Sequence, residues 1–464
     1  MSGGATTSEA RVVDPDVLPA RPPVVAVPAA GLVPAPAAAA WLVGGVLVAV
    51  VGLVAGRPEV AALGLPLLLG LVVARAGWPA GGARARLRAA DQTANAGQLE
   101  AELVVEAAPG APLLGVRVDA PGHRPREALV LARDRVVAVR MRSVRTGSRP
   151  LFQLDARAAD ASALLLGSVS SQPAVVMTVL PSTRALRALP LPFRLQGLTG
   201  PHGSRRAGDG GDLHDVAPFR PGDRLRRIDW RVTARINGQA AAGAGQPGAV
   251  SELYVRRTFA TADATVMLVV DSRDEVGPRV DTWGDASAVD EDEATSLDLA
   301  RFAAASVARS YLEAGDRVGL EDLGRLRRPS PPAGGRPHLH RLTQQLALAR
   351  PEGEPTRRQR VPRLPSGALI VLFSTFLDDD PARLATAWRG SGHRVVAVDT
   401  LPPLVTADLS ARQRTAFRVV SMDRVDRIAD LARAGVETVT WQSLGPEHDV
   451  AAELGVLARR RVRR

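Results

Sequence analysis

Between Pro22 and Gly56 the chain carries no charged residue. Within that stretch AAAAWLVGGVLVAVVGLVAG, Ala37 to Gly56, is long enough to cross a hydrocarbon core, which takes about 20 residues of helix. This run constrains the chain more than any other feature, and it predicts a transmembrane helix. A cleaved signal peptide is the alternative, but the run is too long, starts too far from Met1 and follows no short basic segment. A second apolar run, VAALGLPLLLGLVVA from Val60 to Ala74, is shorter and contains Pro66. Glu59 and Arg75 can snorkel from its ends, and Trp78 suits the interface. The tight turn GRPE, Gly56 to Glu59, makes the pair a helical hairpin over residues 37–78. Arg75, Arg84, Arg86 and Arg88 follow with no acid before Asp91, so the positive-inside rule puts the large C-terminal part in the cytoplasm. A second run that only lay on the surface would put that part outside.

At 464 residues the chain exceeds one ordinary hydrophobic core and calls for several domains. Its 59 basic residues are all arginine, and with 43 Gly and 36 Pro they point to the coding bias of a GC-rich bacterial genome, hence to a bacterial inner membrane. That bias weakens any inference from the net charge of +11 to a phosphate partner. The absence of cysteine excludes disulfides, thiolate metal sites and thiol nucleophiles.

Residues 1–36 are rich in Pro and Ala and are expected to be disordered. After the hairpin, short alternating runs such as QLEAELVVE, RVVAVRM and PAVVMTVLP, separated by Pro, Gly and Asp turns, predict a small antiparallel β domain over residues 79–198, immunoglobulin-like in kind. Residues 199–260 form a linking segment. From Thr261 onward, strands such as DATVMLVVD, GALIVLFS and HRVVAVD alternate with helices. In TSLDLARFAAASVARSYLEAG, Leu297, Ala300, Ala304, Val307 and Tyr311 share one face and Gly315 ends the helix. This alternation predicts an α/β domain with a mainly parallel sheet over residues 261–464. DEDE, Asp290 to Glu293, fits a helix N-terminus, and RRRVRR at the end is either a solvated tail or a contact to an anionic leaflet.

The linking segment holds the densest motif. DLHDVAPFRPGDRLRRIDWRVTAR, Asp212 to Arg235, places six arginines and four aspartates around Trp230. It resembles the signature of the bacterial family called domain of unknown function 58. The match runs through Gly210, Gly211, Phe219, Arg220, Pro221, Gly222, Asp223, Arg227, Ile228, Asp229, Trp230 and Arg235. The resemblance implies a membrane hairpin, a β domain, this signature and a von Willebrand A-like α/β domain. It also implies a gene neighbourhood with MoxR-type AAA+ ATPases and transglutaminase-like membrane proteins.

A von Willebrand A-like domain often holds a divalent cation through Asp-x-Ser-x-Ser after its first strand. Here the loop reads DSRDE: Asp271 keeps its place, but Arg273 and Glu275 replace the serines, and Thr375 stands where a Ser-Asp pair is usual. Arginine brings its own cation, so no metal is expected, although Asp274 and Glu275 leave a substitute geometry open. No nucleophile elbow, His-Glu-x-x-His, P-loop or cofactor motif is present. His338 and His340 point to different faces of a helix and are expected at the surface, as are the loop residues His202 and His214. With only 3% aromatic residues, a single-strand nucleic-acid surface is not expected.

What remains is a structural or docking role. Pro221-Gly222 suits a type II turn, after which Asp223 is placed to cap a short helix RLRRIDW with Leu225, Ile228 and Val232 on one face. Arg220, Arg227 or Arg235 is expected to pair with Asp223 or Asp229, while Trp230 plugs a junction between domains and the outer arginines either pair internally or dock an acidic partner. The chain thus reads as a membrane-anchored, non-enzymatic interaction protein binding through loops around Asp271 and Thr375, and the resemblance implies a MoxR-type AAA+ ATPase as its partner. The alternative is a metal-dependent enzyme or adhesion-type site at the same loop.

Overall fold

The computed structural model describes residues 25–27, 33–76, 83–89, 97–107, 113–131, 133, 135–160, 162–195, 200–244, 252–283, 289–352, 357–441 and 450–459. The first 24 residues of the tail and the arginine run after Arg459 lie outside these. Two compact units emerge: one holds most of the chain up to Met177, and the other holds Thr178–Arg464 together with Asn95–Gly97 and Ser143–Ser148.

In the first unit, strands β1 (Val25–Val27) and β2 (Val33–Pro34) precede helix α1 (Pro36–Val54). A turn leads to α2 (Pro58–Ala62) and α3 (Leu65–Ala76). Two helical spans, Pro36–Val54 and Pro58–Ala76, are each 19 residues long and apolar enough to cross a membrane. Their outward side chains, among them Leu47, Leu53, Val54, Leu69 and Val73, are apolar and exposed. Part of the tail expected to be disordered is paired instead: Val25–Val27 adds to Ala83–Ala85, and Val33–Pro34 adds to Leu165–Leu166. Backbone pairing at a sheet edge gave these residues partners that composition does not reveal.

The strands that follow are β3 (Ala83–Ala89), β4 (Gln98–Ala107), β5 (Leu113–Asp119), β6 (Arg126–Leu131), β7 (Arg135–Arg142), β8 (Gly147–Ala159), β9 (Leu165–Leu166) and β10 (Ser170–Val179). They form two antiparallel sheets, ordered β1-β3-β4-β7 and β2-β9-β8-β5-β6, with β10 paired to β8. Alternation does the sorting: Leu114, Val116, Leu154 and Ala156 are buried, while their sequence neighbours face the other way. The buried Gln172 spans from β10 to β3, bonding the Leu87 N–H at 2.9 Å and its C=O at 3.0 Å.

The second unit begins with a segment lying along a helix, where the Arg184 and Leu186 N–H groups donate to Ser306 and Ser310. The β domain assigned to residue 198 therefore yields this segment to its successor. Strands β11 (His202–Pro218) and β12 (Tyr254–Ala262) pair antiparallel, with helix α4 (Trp230–Ala244) between them in sequence. Next come β13 (Thr265–Val270), α5 (Ser296–Ala314), β14 (Arg317–Asp322), β15 (Ser330–Ala333), α6 (Arg336–Leu348), β16 (Leu369–Ser374), α7 (Asp380–Gly390), β17 (Arg394–Asp399), α8 (Ala411–Arg433), β18 (Glu437–Thr440) and α9 (Val450–Arg459).

The sheet order is β15-β14-β13-β16-β17-β18, and every pairing is parallel except that of β15. Central strands are apolar on both faces because helices cover both. Leu268, Val371 and Val396 pack with Ala304 and Val307 of α5, whereas Val269, Ile370 and Ala397 pack with Leu384 and Trp388 of α7. Helix α5 starts with a reciprocal capping box between Thr295 and Asp298 and ends at Gly315 in the left-handed conformation. From β13 the chain goes first to β14 and then crosses to β16 on the other side. The crevice between the C-terminal ends of β13 and β16 is therefore the topological switch point of the sheet, where open α/β sheets bind ligands.

Candidate functional site

Asp271 follows the last residue of β13 and Ser374 ends β16, so the switch point brings DSRDE and FSTF together. The guanidinium of Arg273 fills the place between them. Its Nε lies 2.8 Å and its Nη2 3.0 Å from the two oxygens of Asp271, a bidentate fork. Nη2 also reaches Asp378 at 3.1 Å and Nη1 reaches Asp380 at 3.3 Å. Ser374 donates to the remaining lone pairs of Asp271 at 2.8 Å. Burial works against the charge on Arg273, yet Asp271 and Asp378 raise its pKa further above the ordinary arginine range. The other altered position is occupied as well. Glu275 accepts from Arg145 of the segment Ser143–Ser148 at 3.0 Å and from Thr295 at 2.7 Å, while Arg145 Nε holds Asp298 at 2.9 Å. A divalent ion needs these carboxylate oxygens, so the donor set does not fit one.

Asp274 turns to the Thr375 hydroxyl at 3.2 Å. Burial, together with Asp271 and Asp378 nearby, pushes its carboxyl up to about 7. The following residue pair is braced from α8: Arg424 donates to the Thr375 carbonyl at 2.8 Å and Arg427 to that of Phe376 at 2.8 Å. These bonds hold Phe376 at φ 54°, a backbone conformation that bulky side chains rarely adopt. Asp271 and Thr375 are both buried. They organise the crevice from within, beneath the loops expected to form the binding face.

The signature segment folds the other way round. Phe219 donates its N–H to the Leu253 carbonyl at 2.8 Å, carrying the chain out of β11. Arg220, Pro221, Gly222 and Asp223 make the expected turn: Asp223 N–H donates to Arg220 C=O at 3.0 Å, and Gly222 has φ +102°. Asp223 caps no helix. Its carboxylate accepts the Arg220 N–H at 2.8 Å, which holds its pKa below the usual range, with Arg257 at 3.4 Å adding to the effect. The predicted helix RLRRIDW shrinks to a single 3₁₀ turn, Leu225–Arg227, because Ile228 is drawn into a β-bridge with Val255. Asp229 is the true cap: its Oδ1 accepts the N–H groups of Arg231 and Val232, both at 3.1 Å, and so starts α4.

Of the arginines expected to partner these aspartates, Arg220 holds Asp223 through its N–H, and further partners come from another strand. Arg257 serves Asp223 and Arg256 approaches Asp229 at 3.6 Å, both from β12, whereas Arg235 sits exposed on α4 and Arg227 is half-buried at the end of the 3₁₀ turn. Antiparallel pairing of β11 with β12 delivers these partners across more than twenty residues. Trp230, expected at a junction between domains, is 65% exposed. Helix α4 rests on β12 through Thr233, whose hydroxyl accepts the Tyr254 N–H at 3.0 Å, and through Asn237, which bonds the Glu252 backbone. Trp230 at the first turn of the helix and Arg231, Ala234 and Arg235 are exposed, as are Leu225 at 70% and Arg226 just before it.

Two histidines also depart from expectation. His202 lies on β11 and bonds buried Asp316 at 2.9 Å, and His338 is buried against the Val318 carbonyl at 2.7 Å. His340 stays on the surface beside Gln344. Sequence inspection missed Arg145, Arg256, Arg257, Arg424 and Arg427 altogether. In a chain whose every basic residue is arginine, no local signal separates these from the rest.

A pair of apolar helices, two antiparallel sheets, and an α/β unit with an arginine-filled crevice define a multidomain protein that carries potential membrane spans. Residues 215–406 match the family model described as Protein of unknown function DUF58, which supports the resemblance carried by the signature segment. The match takes in most of the signature segment and the sheet as far as β17. No curated protein and no solved structure matches the chain.

Proposed function

We propose that this protein is a membrane-anchored, non-enzymatic interaction module that docks a protein partner through the outer face of α4. The carrying observation is the exposure of Trp230 beside Arg226, Arg231 and Arg235, none of which has an ion-pair partner among the described residues. Tryptophan and arginine dominate the energetics of protein interfaces, and guanidinium forks favour carboxylates. The partner surface is accordingly acidic, with an apolar recess for the indole. A MoxR-type AAA+ ATPase is the partner that the family resemblance suggests.

The mainly parallel sheet with helices on both faces supports reading the second unit as von Willebrand A-like, and the two antiparallel sheets support an immunoglobulin-like first unit. The arginine run after the second span supports a bacterial inner-membrane location with both units in the cytoplasm. The crevice at Asp271 then works without a metal, its shape held by Arg273. The test is affinity purification of the full chain from membranes, with and without Trp230→Ala plus Arg231→Glu. Loss of a specific co-purifying protein from a folded variant is the expected outcome, and an unchanged set of partners overturns the proposal.

A further inference from the structure

The first unit contains a cavity of about 660 Å³ that neither the α/β crevice nor α4 explains. Its floor is one face of the sheet β6-β5-β8. Strand register puts Glu127, Arg117 and Asp155 in one row across that face, and Leu129, Gly115 and Arg157 in the next. The other face of the same strands, with Leu114, Val116, Val130 and Leu154, is buried in the β domain. A polar outer face is ordinary for an antiparallel sheet. This one is overhung by Ala35–Ala37, the start of α1, and by Ala163, Leu166 and Val169. The Ala35 N–H is tied to the Leu164 carbonyl at 2.8 Å, and Ala38 and Ala74 pack on Leu164. The two spans and the sheet thus meet at this point, at the level where α1 would leave the bilayer.

The charges on the floor are only partly matched to one another. Arg117 pairs with Asp119 at 3.0 Å and with Glu127 at 3.9 Å. Arg157 has no ion-pair partner among the described residues, and Asp155 Oδ1 is buried with no hydrogen-bond partner. The Arg157 stem lies over Gly115, where a Cβ would come within 3.3 Å of its Cγ. Any larger residue at 115 would therefore push Arg157 aside. At the rim, Leu129 and Val169 are exposed apolar side chains, which suits contact with lipid better than with water.

We infer that this cavity binds the headgroup of a zwitterionic phospholipid carrying a primary amine. Its phosphodiester would sit on Arg157, its ammonium on Asp155, and its acyl side over Leu129 and Val169. A ligand that brings one anion and one cation satisfies both orphaned groups at once, whereas inorganic phosphate leaves Asp155 unpaired. This inference rests on the membrane-anchored reading proposed above. It would add a lipid choice to the anchor.

The test uses the full chain in phosphatidylcholine nanodiscs doped in turn with phosphatidylethanolamine or phosphatidylglycerol, with retained lipid read by native mass spectrometry after detergent extraction. Phosphatidylethanolamine should be enriched about tenfold over either other lipid, the scale of one charge-assisted hydrogen bond. Arg157→Gln and Asp155→Asn should each abolish the enrichment without changing the thermal unfolding midpoint. Gly115→Val, which fills the centre of the floor, should do the same. Equal retention of all three lipids, or enrichment surviving in both charge variants, overturns the inference. Displacement by soluble glycerophosphoethanolamine without retention of the lipid overturns the lipid source, leaving a site for a soluble phosphodiester. Failure to float with vesicles of any composition instead overturns the membrane anchor itself.

Discussion

The crevice at Asp271 and the outer face of α4 are built from the same side chain used in opposite ways. In the crevice, Arg273 is 5% exposed and shared among three aspartates, so its charge is consumed by the fold. On α4, Arg231 and Arg235 stand in solvent because the aspartates of the signature are engaged elsewhere, Asp223 in a turn and Asp229 in a cap. Arginine content says little about function; whether a carboxylate of the fold reaches the guanidinium says much more. The difference also shows why a motif dense in charge need not be a basic patch: Asp223 and Asp229 are taken up by a turn and a cap while Arg231 and Arg235 stand exposed.

The strongest way to break this comparison is Arg273→Ala. Removing the cation leaves Asp271, Asp378 and Asp380 facing each other, and breaking a buried pair in this way costs about 3–5 kcal/mol. Chemical denaturation should show a loss of that order, whereas a loss near zero would mean that the crevice does not depend on its arginine. Arg273→Ser sharpens the point: it should acquire Mg²⁺-dependent thermal stabilisation that the natural chain lacks.

A smaller effect should follow pH. Asp274 binds its proton up to about pH 7, well above the unfolded value near 3.8, so the folded state holds more protons across that interval. Stability should therefore be full below about pH 4 and fall as pH rises through 7. Glu321, also pushed up to about 7 by burial despite Arg358 beside it, contributes with the same sign. Asp274→Asn isolates the first term: denaturant midpoints should gain more at pH 8 than at pH 5, and an equal gain at both would refute the assignment.

The least effect on stability is expected at the exposed signature positions. Asp229→Ala removes the cap of α4 and should cost about 1 kcal/mol. Trp230→Ala should stay within about 0.5 kcal/mol, since an exposed side chain supports little. A large loss at Trp230 would show that it is structural after all and would undo the contrast with Arg273.

Much of the fold was legible from local pattern. The charge-free run at Ala37, the alternation in QLEAELVVE and the strand-helix rhythm after Thr261 each depend on periodicity within about twenty residues, and each appears where the pattern puts it. The turn at Pro221-Gly222 was equally local, because φ preference is a property of the residue itself. The replacement at position 273 was visible too, since it rests on one residue in one loop.

Partnership, by contrast, was set by the fold. That Asp229 rather than Asp223 starts the helix depends on Ile228 pairing with Val255. That Asp223 meets Arg257 depends on the β11–β12 register, and that Glu275 meets Arg145 depends on residues 130 positions apart. Thr233 and Asn237 tie α4 to the chain at Glu252 and Tyr254, while Trp230 at the first turn is left exposed. Periodicity is a short-range property and can be read along a chain. Charge pairing is a contact property, and in a chain whose basic residues are all arginine only the fold distinguishes one guanidinium from another.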